Sequence, residues 1–114
     1  MDQRPVVSII RKQGVTILDI KGDVTSFAEA PMLNAYHQAT KEDSRKILLK
    51  FNQSAYINSA GIAIIISMAS EAQKLKQKIG VSGLSSHFKR VFDMIGLVDY
   101  VRVYNSEEEA LASL

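Results

Sequence analysis

The segment from residue 47 to residue 65 constrains the fold more than any other part of the chain. A strand of the buried type, Ile47–Phe51, runs into a polar loop that ends at Asn58, and a strongly apolar segment follows directly. The change from a short apolar run to helical periodicity predicts a strand, a loop and a helix in succession. Because such units pack their helices on a sheet, we expect an α/β fold.

Ser59 occupies the cap or the first turn of the predicted helix. Backbone N–H groups are unpaired there, and the helix dipole favours negative charge. A serine hydroxyl in this position is therefore either a helix cap or a suitable site for a phosphate group. Asn58 could supply the cap itself and leave Ser59 free. The small residues Ala60 and Gly61 follow at once and would let another protein approach the hydroxyl, although Gly61 could equally serve packing.

The remaining patterns predict five strands and four helices in the order β-β-α-β-α-β-α-β-α. The predicted strands are Val6–Ile10, Val15–Ile20, Ile47–Phe51, Ile79–Leu84 and Tyr100–Tyr104. The first two form a hairpin, and the later strands form β-α-β units with right-handed crossovers. The sequence thus predicts one α/β domain over residues 1–114, with a mixed sheet of about five strands and about four helices.

The first helix ends near Thr40 and has two candidate starts. Ser26 begins a capping box that would start the helix at Phe27. A start at residues 28–30 would instead place Pro31 in the first turn, where it is tolerated. Helical spacing predicts an inward stripe of Ala28, Met32, Ala35 and Ala39.

The later helices have clearer limits. The second covers about residues 60–77, the third is capped by Ser85 or Ser86 and ends at Gly96, and Ser106 caps the fourth. The predicted inward faces are Ile62, Ile65, Ile66, Met68, Ala69, Ala72 and Leu75 on the second helix, and Phe88, Val91, Phe92 and Ile95 on the third.

Two polar segments follow neighbouring strands of the predicted sheet. The turn Gly22–Ser26 comes after the second strand, and the loop Asn52–Asn58 comes after the third. Binding sites in such sheets gather at the carboxyl ends of the strands. The two segments could therefore be neighbours beside Ser59.

Composition and motifs exclude several functions. A formal net charge of +2 leaves no basic footprint for nucleic acid, and the lack of cysteine excludes disulfides and thiolate metal sites. No phosphate-binding glycine loop or serine-hydrolase motif occurs, and His37 and His87 have no partner at metal-ligand spacing. We therefore expect no catalytic residues, no metal and no cofactor.

The chain also lacks the marks of a membrane or secreted protein. Its start has no signal-peptide pattern, and its longest apolar stretch is too short to span a bilayer. We expect a cytoplasmic protein without membrane insertion. A monomer is the default, with a dimer left open.

Three segments carry a family resemblance, namely ILLKF, YINSAGIAIII and GLSSHFKRVFDMIGL. They resemble the STAS domain and, more narrowly, the bacterial anti-sigma factor antagonists. The resemblance extends from about Val6 to Leu114. Its most specific part is the string Asn58–Ile62. The family usually has aspartate where this chain has Asn52 and Asn58.

The resemblance implies a partner switch rather than an enzyme. In the family, the serine that matches Ser59 is phosphorylated by a partner that is both anti-sigma factor and serine kinase. The unmodified antagonist binds that partner and frees the sigma factor, and a PP2C-type phosphatase restores it. The predicted partner-binding residues are Asp23, Thr25, Asn58, Ser59, Ala60, Gly61 and Ile64, with Ile64 on an exposed apolar rim.

Two other functions are left open at this point. A STAS-type domain could dock constitutively as a subunit of a membrane transport ATPase. It could also sense a small ligand such as a nucleotide at the loop after the third strand.

Overall fold

Five strands form one mixed sheet in the order of the chain, β1-β2-β3-β4-β5. Their bounds are Val6–Lys12, Val15–Lys21, Lys46–Lys50, Lys78–Ser82 and Arg102–Val103. The first two strands pair antiparallel as a hairpin, and the other pairs are parallel. The predicted mixed sheet of a hairpin followed by β-α-β units is confirmed, although β5 is shorter than expected.

The computed structural model describes residues 4–53 and 55–114. Residues 1–3 of the predicted domain and Ser54 of the predicted loop lie outside the described residues. Within these ranges the chain forms four α-helices, α1 Glu29–Lys41, α2 Ser59–Lys74, α3 Ser86–Met94 and α4 Glu107–Ser113. Short 3₁₀ turns occupy Ser26–Ala28 and Leu97–Asp99.

The first helix begins at the later of its two predicted starts. The 3₁₀ turn comes first, and Thr25 caps that turn by accepting a hydrogen bond from the N–H of Phe27 at 3.3 Å. The α-helix proper starts at Glu29, so Pro31 lies in the first turn, where its missing N–H costs no helical bond. The start at Phe27 with a Ser26 cap is therefore wrong.

The core lies on both faces of the sheet. Ile47 and Leu49 of β3 belong to a large core that includes side chains of α1, α2 and α3. Leu48 belongs to a second, smaller core that includes Ala110 of α4 and Leu114, which follows the helix. Because successive strand residues point to opposite faces, a continuously apolar β3 serves both cores. Among the described residues, no helix has the length and apolar character needed to cross a membrane.

The buried face of α2 differs from the predicted one. Ile64 is 4% exposed and Ile66 is 46% exposed, so the expected exposed rim at Ile64 and the inward position of Ile66 are both wrong. The helix buries Gly61, Ile65 and Met68 at the centre of its face. Because α1 packs against one side of α2, the buried arc extends toward Ile64 rather than Ile66.

Candidate functional site

The turn after β2 and the loop after β3 lie side by side at the carboxyl ends of their strands. Val24 and Ile57 form an isolated parallel bridge. The N–H of Val24 donates to the carbonyl oxygen of Tyr56 at 2.8 Å, and the N–H of Asn58 donates to the carbonyl oxygen of Val24 at 3.1 Å. The predicted neighbourhood of the two segments is confirmed for the residues that the structure describes.

Asp23 and Thr25, two of the predicted partner-binding residues, make hydrogen bonds within the chain. One carboxylate oxygen of Asp23 accepts from the backbone N–H of Tyr56 at 3.0 Å. Thr25 caps the 3₁₀ turn that precedes α1. Both side chains therefore shape the two segments beside Ser59.

Asn58 caps α2 and leaves Ser59 in the first turn. The Asn58 side-chain oxygen accepts from the N–H of Gly61 at 2.9 Å, as the sequence suggested. Ser59 is the first residue of the helix and is exposed, and Ala60 beside it is half-buried. The cap is thus made by one residue, and its neighbour presents a hydroxyl to the outside at the positive end of the helix dipole.

Gly61 allows α2 to begin in direct contact with the turn after β2. A Cβ atom at position 61 would lie 2.1 Å from the carbonyl oxygen of Val24 and 3.0 Å from a methyl group of Ile57. No side chain fits in that space. Of the two uses that the sequence left open for Gly61, the structure supports packing, because the residue is buried.

A groove with a volume of about 410 Å³ opens beside Ser59, between α2 and α3. Its lining residues are Tyr56, Ile57, Asn58, Ser59, Ile62, His87, Phe88, Val91 and Ile95. None of these is a lysine, arginine, aspartate or glutamate. Tyr56 is 58% exposed and Ile95 is 51% exposed, so part of the lining presents apolar surface to solvent.

Sequence reasoning missed the groove because it assigned its residues elsewhere. The helical spacing predicts that Ile95 faces inward, but Ile95 lies at the C-cap of α3, directly after Met94, and is exposed. In the sequence, Tyr56 is only one residue of the loop Asn52–Asn58. Its ring meets that of Phe88 edge-on, with the ring centroids 6.3 Å apart. An aromatic side chain in an otherwise polar loop was the signal that could have revealed this surface.

The opposite face of the sheet carries an ion-pair cluster. Glu107, the first residue of α4, accepts hydrogen bonds from the ammonium groups of Lys50 at 2.9 Å and Lys12 at 3.0 Å. The hydrogen bond from Lys50, and after it the one from Lys12, lowers the pKa of Glu107. The hydrogen bond between Lys50 and Glu107 also raises the pKa of Lys50. The cluster ties the start of α4 to β1 and β3 and is a structural feature.

Over residues 4–53 and 55–114, no three histidine, aspartate or glutamate side chains come together in a way that could hold a metal ion.

Comparison with known proteins gives one consistent family. The profile of the STAS domain matches residues 7–110. BtrV of Bordetella bronchiseptica, provisionally named an anti-sigma factor antagonist, is 29% identical over 101 residues, covering 88% of this chain and 86% of that protein.

Solved structures show the same fold at lower identity. An anti-sigma factor antagonist from Mycobacterium paratuberculosis superposes with a TM-score of 0.82 at 15% identity, covering 96% of this chain and 92% of that one. Phosphorylated SpoIIAA of Bacillus superposes with a TM-score of 0.67 at 14% identity, covering 94% and 97%. The profile match, together with the five-stranded sheet and its four helices, shows that this chain belongs to the STAS domain family.

Proposed function

We propose that this chain is an anti-sigma factor antagonist whose binding to an anti-sigma serine kinase is switched off by phosphorylation of Ser59. The observation that carries the proposal is the exposed hydroxyl of Ser59 in the first turn of α2, next to a cap that Asn58 makes alone. A kinase can modify this hydroxyl without removing the helix cap. The similarity to BtrV supports the class of protein.

Phosphorylation of Ser59 changes charge and leaves the fold in place. A phosphate adds roughly −1.5 to −2 charges at neutral pH. Within the chain, the amides and the dipole at the start of α2 stabilise that charge. Asn58 is uncharged, so no carboxylate at this neighbouring position opposes the phosphate. The modified protein is therefore expected to be folded and about as stable as the unmodified one.

The groove offers a physical reason why a charge at Ser59 would prevent docking. Ser59 shares the groove with apolar side chains, among them Ile62 and Val91, and no described residue of the lining is a lysine, arginine, aspartate or glutamate. We propose that the kinase places apolar side chains in this groove. A phosphate on the groove wall would then have to lose water without gaining a polar partner from the kinase, which is unfavourable. A loss of about 3 kcal/mol of contact energy weakens binding about a hundredfold.

The proposed cycle needs two partners and no catalysis by this chain. An anti-sigma factor serine kinase binds the unmodified protein and phosphorylates it. A PP2C-type phosphatase removes the phosphate and restores binding. The whole cycle takes place in the cytoplasm.

The test uses purified serine kinases of the anti-sigma class from the source genome, each incubated with the chain and ATP. Mass spectrometry should find one phosphate, on Ser59, with the wild-type chain and none with Ser59→Ala. Ser59→Asp should weaken kinase binding about a hundredfold in calorimetry, with a melting temperature close to that of the wild type. Ser70→Asp is the matched control, since Ser70 is an exposed serine on α2 outside the groove.

Two results would reject the proposal. One is that no kinase of this class modifies or binds the wild-type chain. The other is that Ser59→Asp binds as tightly as Ser70→Asp.

A further inference from the structure

Asp23 connects the turn after β2 to the loop that carries Ser59. Its carboxylate accepts a hydrogen bond from the backbone N–H of Tyr56, 33 residues further along the chain. The side chain of Asp23 is exposed, but the N–H group that donates to it belongs to the segment that leads directly into α2. The contact is therefore placed to influence the position of Ser59.

Hydrogen bonds run without a break from this turn to the cap of α2. Val24, the residue after Asp23, donates to the carbonyl oxygen of Tyr56 and accepts from the N–H of Asn58. Asn58 in turn caps α2 through the N–H of Gly61. These hydrogen bonds connect the turn after β2 to the first turn of α2, where Ser59 lies between Asn58 and Gly61.

Close packing makes the same connection by a second route. The carbonyl oxygen of Val24 occupies the space that a side chain at position 61 would need. Val24 is fully buried, so the turn cannot shift outward without opening the core. The first turn of α2 therefore takes its position from residues 23 and 24.

We infer that Asp23 is a positioning residue, which holds the Ser59 loop in the geometry that the kinase recognises, and that it does not act as a charged contact for the partner. The inference rests on the proposed function as far as the kinase is concerned. It differs from the expectation from the sequence, which places Asp23 among the residues that bind the partner. Tyr56, which Asp23 holds, also lines the groove, so the same bond orients one wall of the proposed docking surface.

The chemistry of the bond separates these two roles. A neutral backbone N–H needs only an acceptor oxygen, and the side-chain carbonyl of asparagine supplies one in the same place. Asp23→Asn should therefore keep the loop in position, and Asp23→Ala should release it. A contact that depended on the negative charge would be lost equally in both variants.

The first measurement is amide hydrogen exchange by NMR on the chain alone. In Asp23→Ala, the amide of Tyr56 should exchange about tenfold faster, since the N–H loses its acceptor oxygen, and amide shifts should change from Tyr56 to Gly61. Asp23→Asn should stay within about twofold of the wild type. Asp93→Ala, which removes an exposed carboxylate on α3, is the control for charge.

The second measurement is the rate of Ser59 phosphorylation by the kinase identified above. Asp23→Ala should lower kcat by about tenfold, and Asp23→Asn should recover most of that loss. The inference is overturned if Asp23→Ala leaves the exchange of Tyr56 unchanged. It is also overturned if the kinase phosphorylates Asp23→Asn as slowly as Asp23→Ala while the loop amides of Asp23→Asn match the wild type. The NMR measurement needs no kinase, so it tests the positioning role of Asp23 even if the proposed function fails.

Discussion

Replacing Gly61 with alanine should destabilise this protein, although alanine is the better helix former. In an unobstructed helix interior the change is favourable by roughly 0.5–1 kcal/mol. Here the new Cβ would lie 2.1 Å from the carbonyl oxygen and 2.9 Å from the carbonyl carbon of Val24. Restoring a contact of 3.0 Å requires the helix and the turn to separate by about 0.9 Å, the difference between 3.0 and 2.1 Å.

The cost of that separation can be worked from the contacts it disturbs. Inserting a methyl group into a packed region costs about 1–3 kcal/mol. Weakening the bond between the N–H of Asn58 and the carbonyl of Val24 costs about 1 kcal/mol more. After the gain in helix propensity, the free energy of unfolding should fall by about 2 kcal/mol. In a chain of this size that corresponds to a melting temperature lower by roughly 8–10 °C.

Urea unfolding followed by far-UV circular dichroism measures this change directly. Ala63→Gly is a useful control, because Ala63 is exposed on α2 and should lose only roughly 0.5–1 kcal/mol through helix propensity. A Gly61→Ala protein that is as stable as the wild type, or more stable, would show that the helix start does not depend on this close approach.

Two further perturbations address the ion-pair cluster and the groove. Since Lys50 and Lys12 lower the pKa of Glu107, the stability they add is present at neutral pH and is lost as the pH falls through that lowered pKa. Glu107→Gln should therefore reduce the free energy of unfolding at pH 7 by about 0.5–1 kcal/mol. In urea titrations below pH 4.5, the difference in unfolding free energy between the variant and the wild type should shrink. A difference that does not depend on pH would contradict this. In the groove, Ile95→Asp should weaken kinase binding at least about tenfold by calorimetry, because it places a charge in an apolar surface. Met94→Asp, at a neighbouring residue that is 83% exposed but outside the groove lining, should have little effect, and equal losses would argue against docking there.

The location of the candidate site at one edge of the sheet follows from the topology. Strands β2 and β3 are parallel neighbours, so the segments that leave their carboxyl ends emerge together. One of these segments carries Asp23 and the other leads to Ser59. Residues far apart in the sequence thus form one surface without any contribution from the smaller core under α4.

Local signals were sufficient for the element order and for the start of α2. Apolar periodicity distinguishes strands from helices over a few residues, and a cap is a contact between residues three apart. The Asn58 cap and the position of Ser59 were therefore predictable from the neighbouring residues alone. The Ser106 cap of α4, which accepts from the N–H of Glu109 at 3.1 Å, was predictable for the same reason.

Tertiary contacts decided the features that give the site its shape. Whether Ile64 or Ile66 is buried depends on the side of α2 against which α1 packs, and periodicity alone does not contain that information. The hydrogen bond between Asp23 and Tyr56 joins residues that are 33 positions apart in the sequence. The groove beside Ser59 forms between two different helices, α2 and α3. The sequence by itself determined which hydroxyl stands at a helix start, because capping is local. Only the folded chain decided what surrounds that hydroxyl, because burial and grooves arise where distant segments meet.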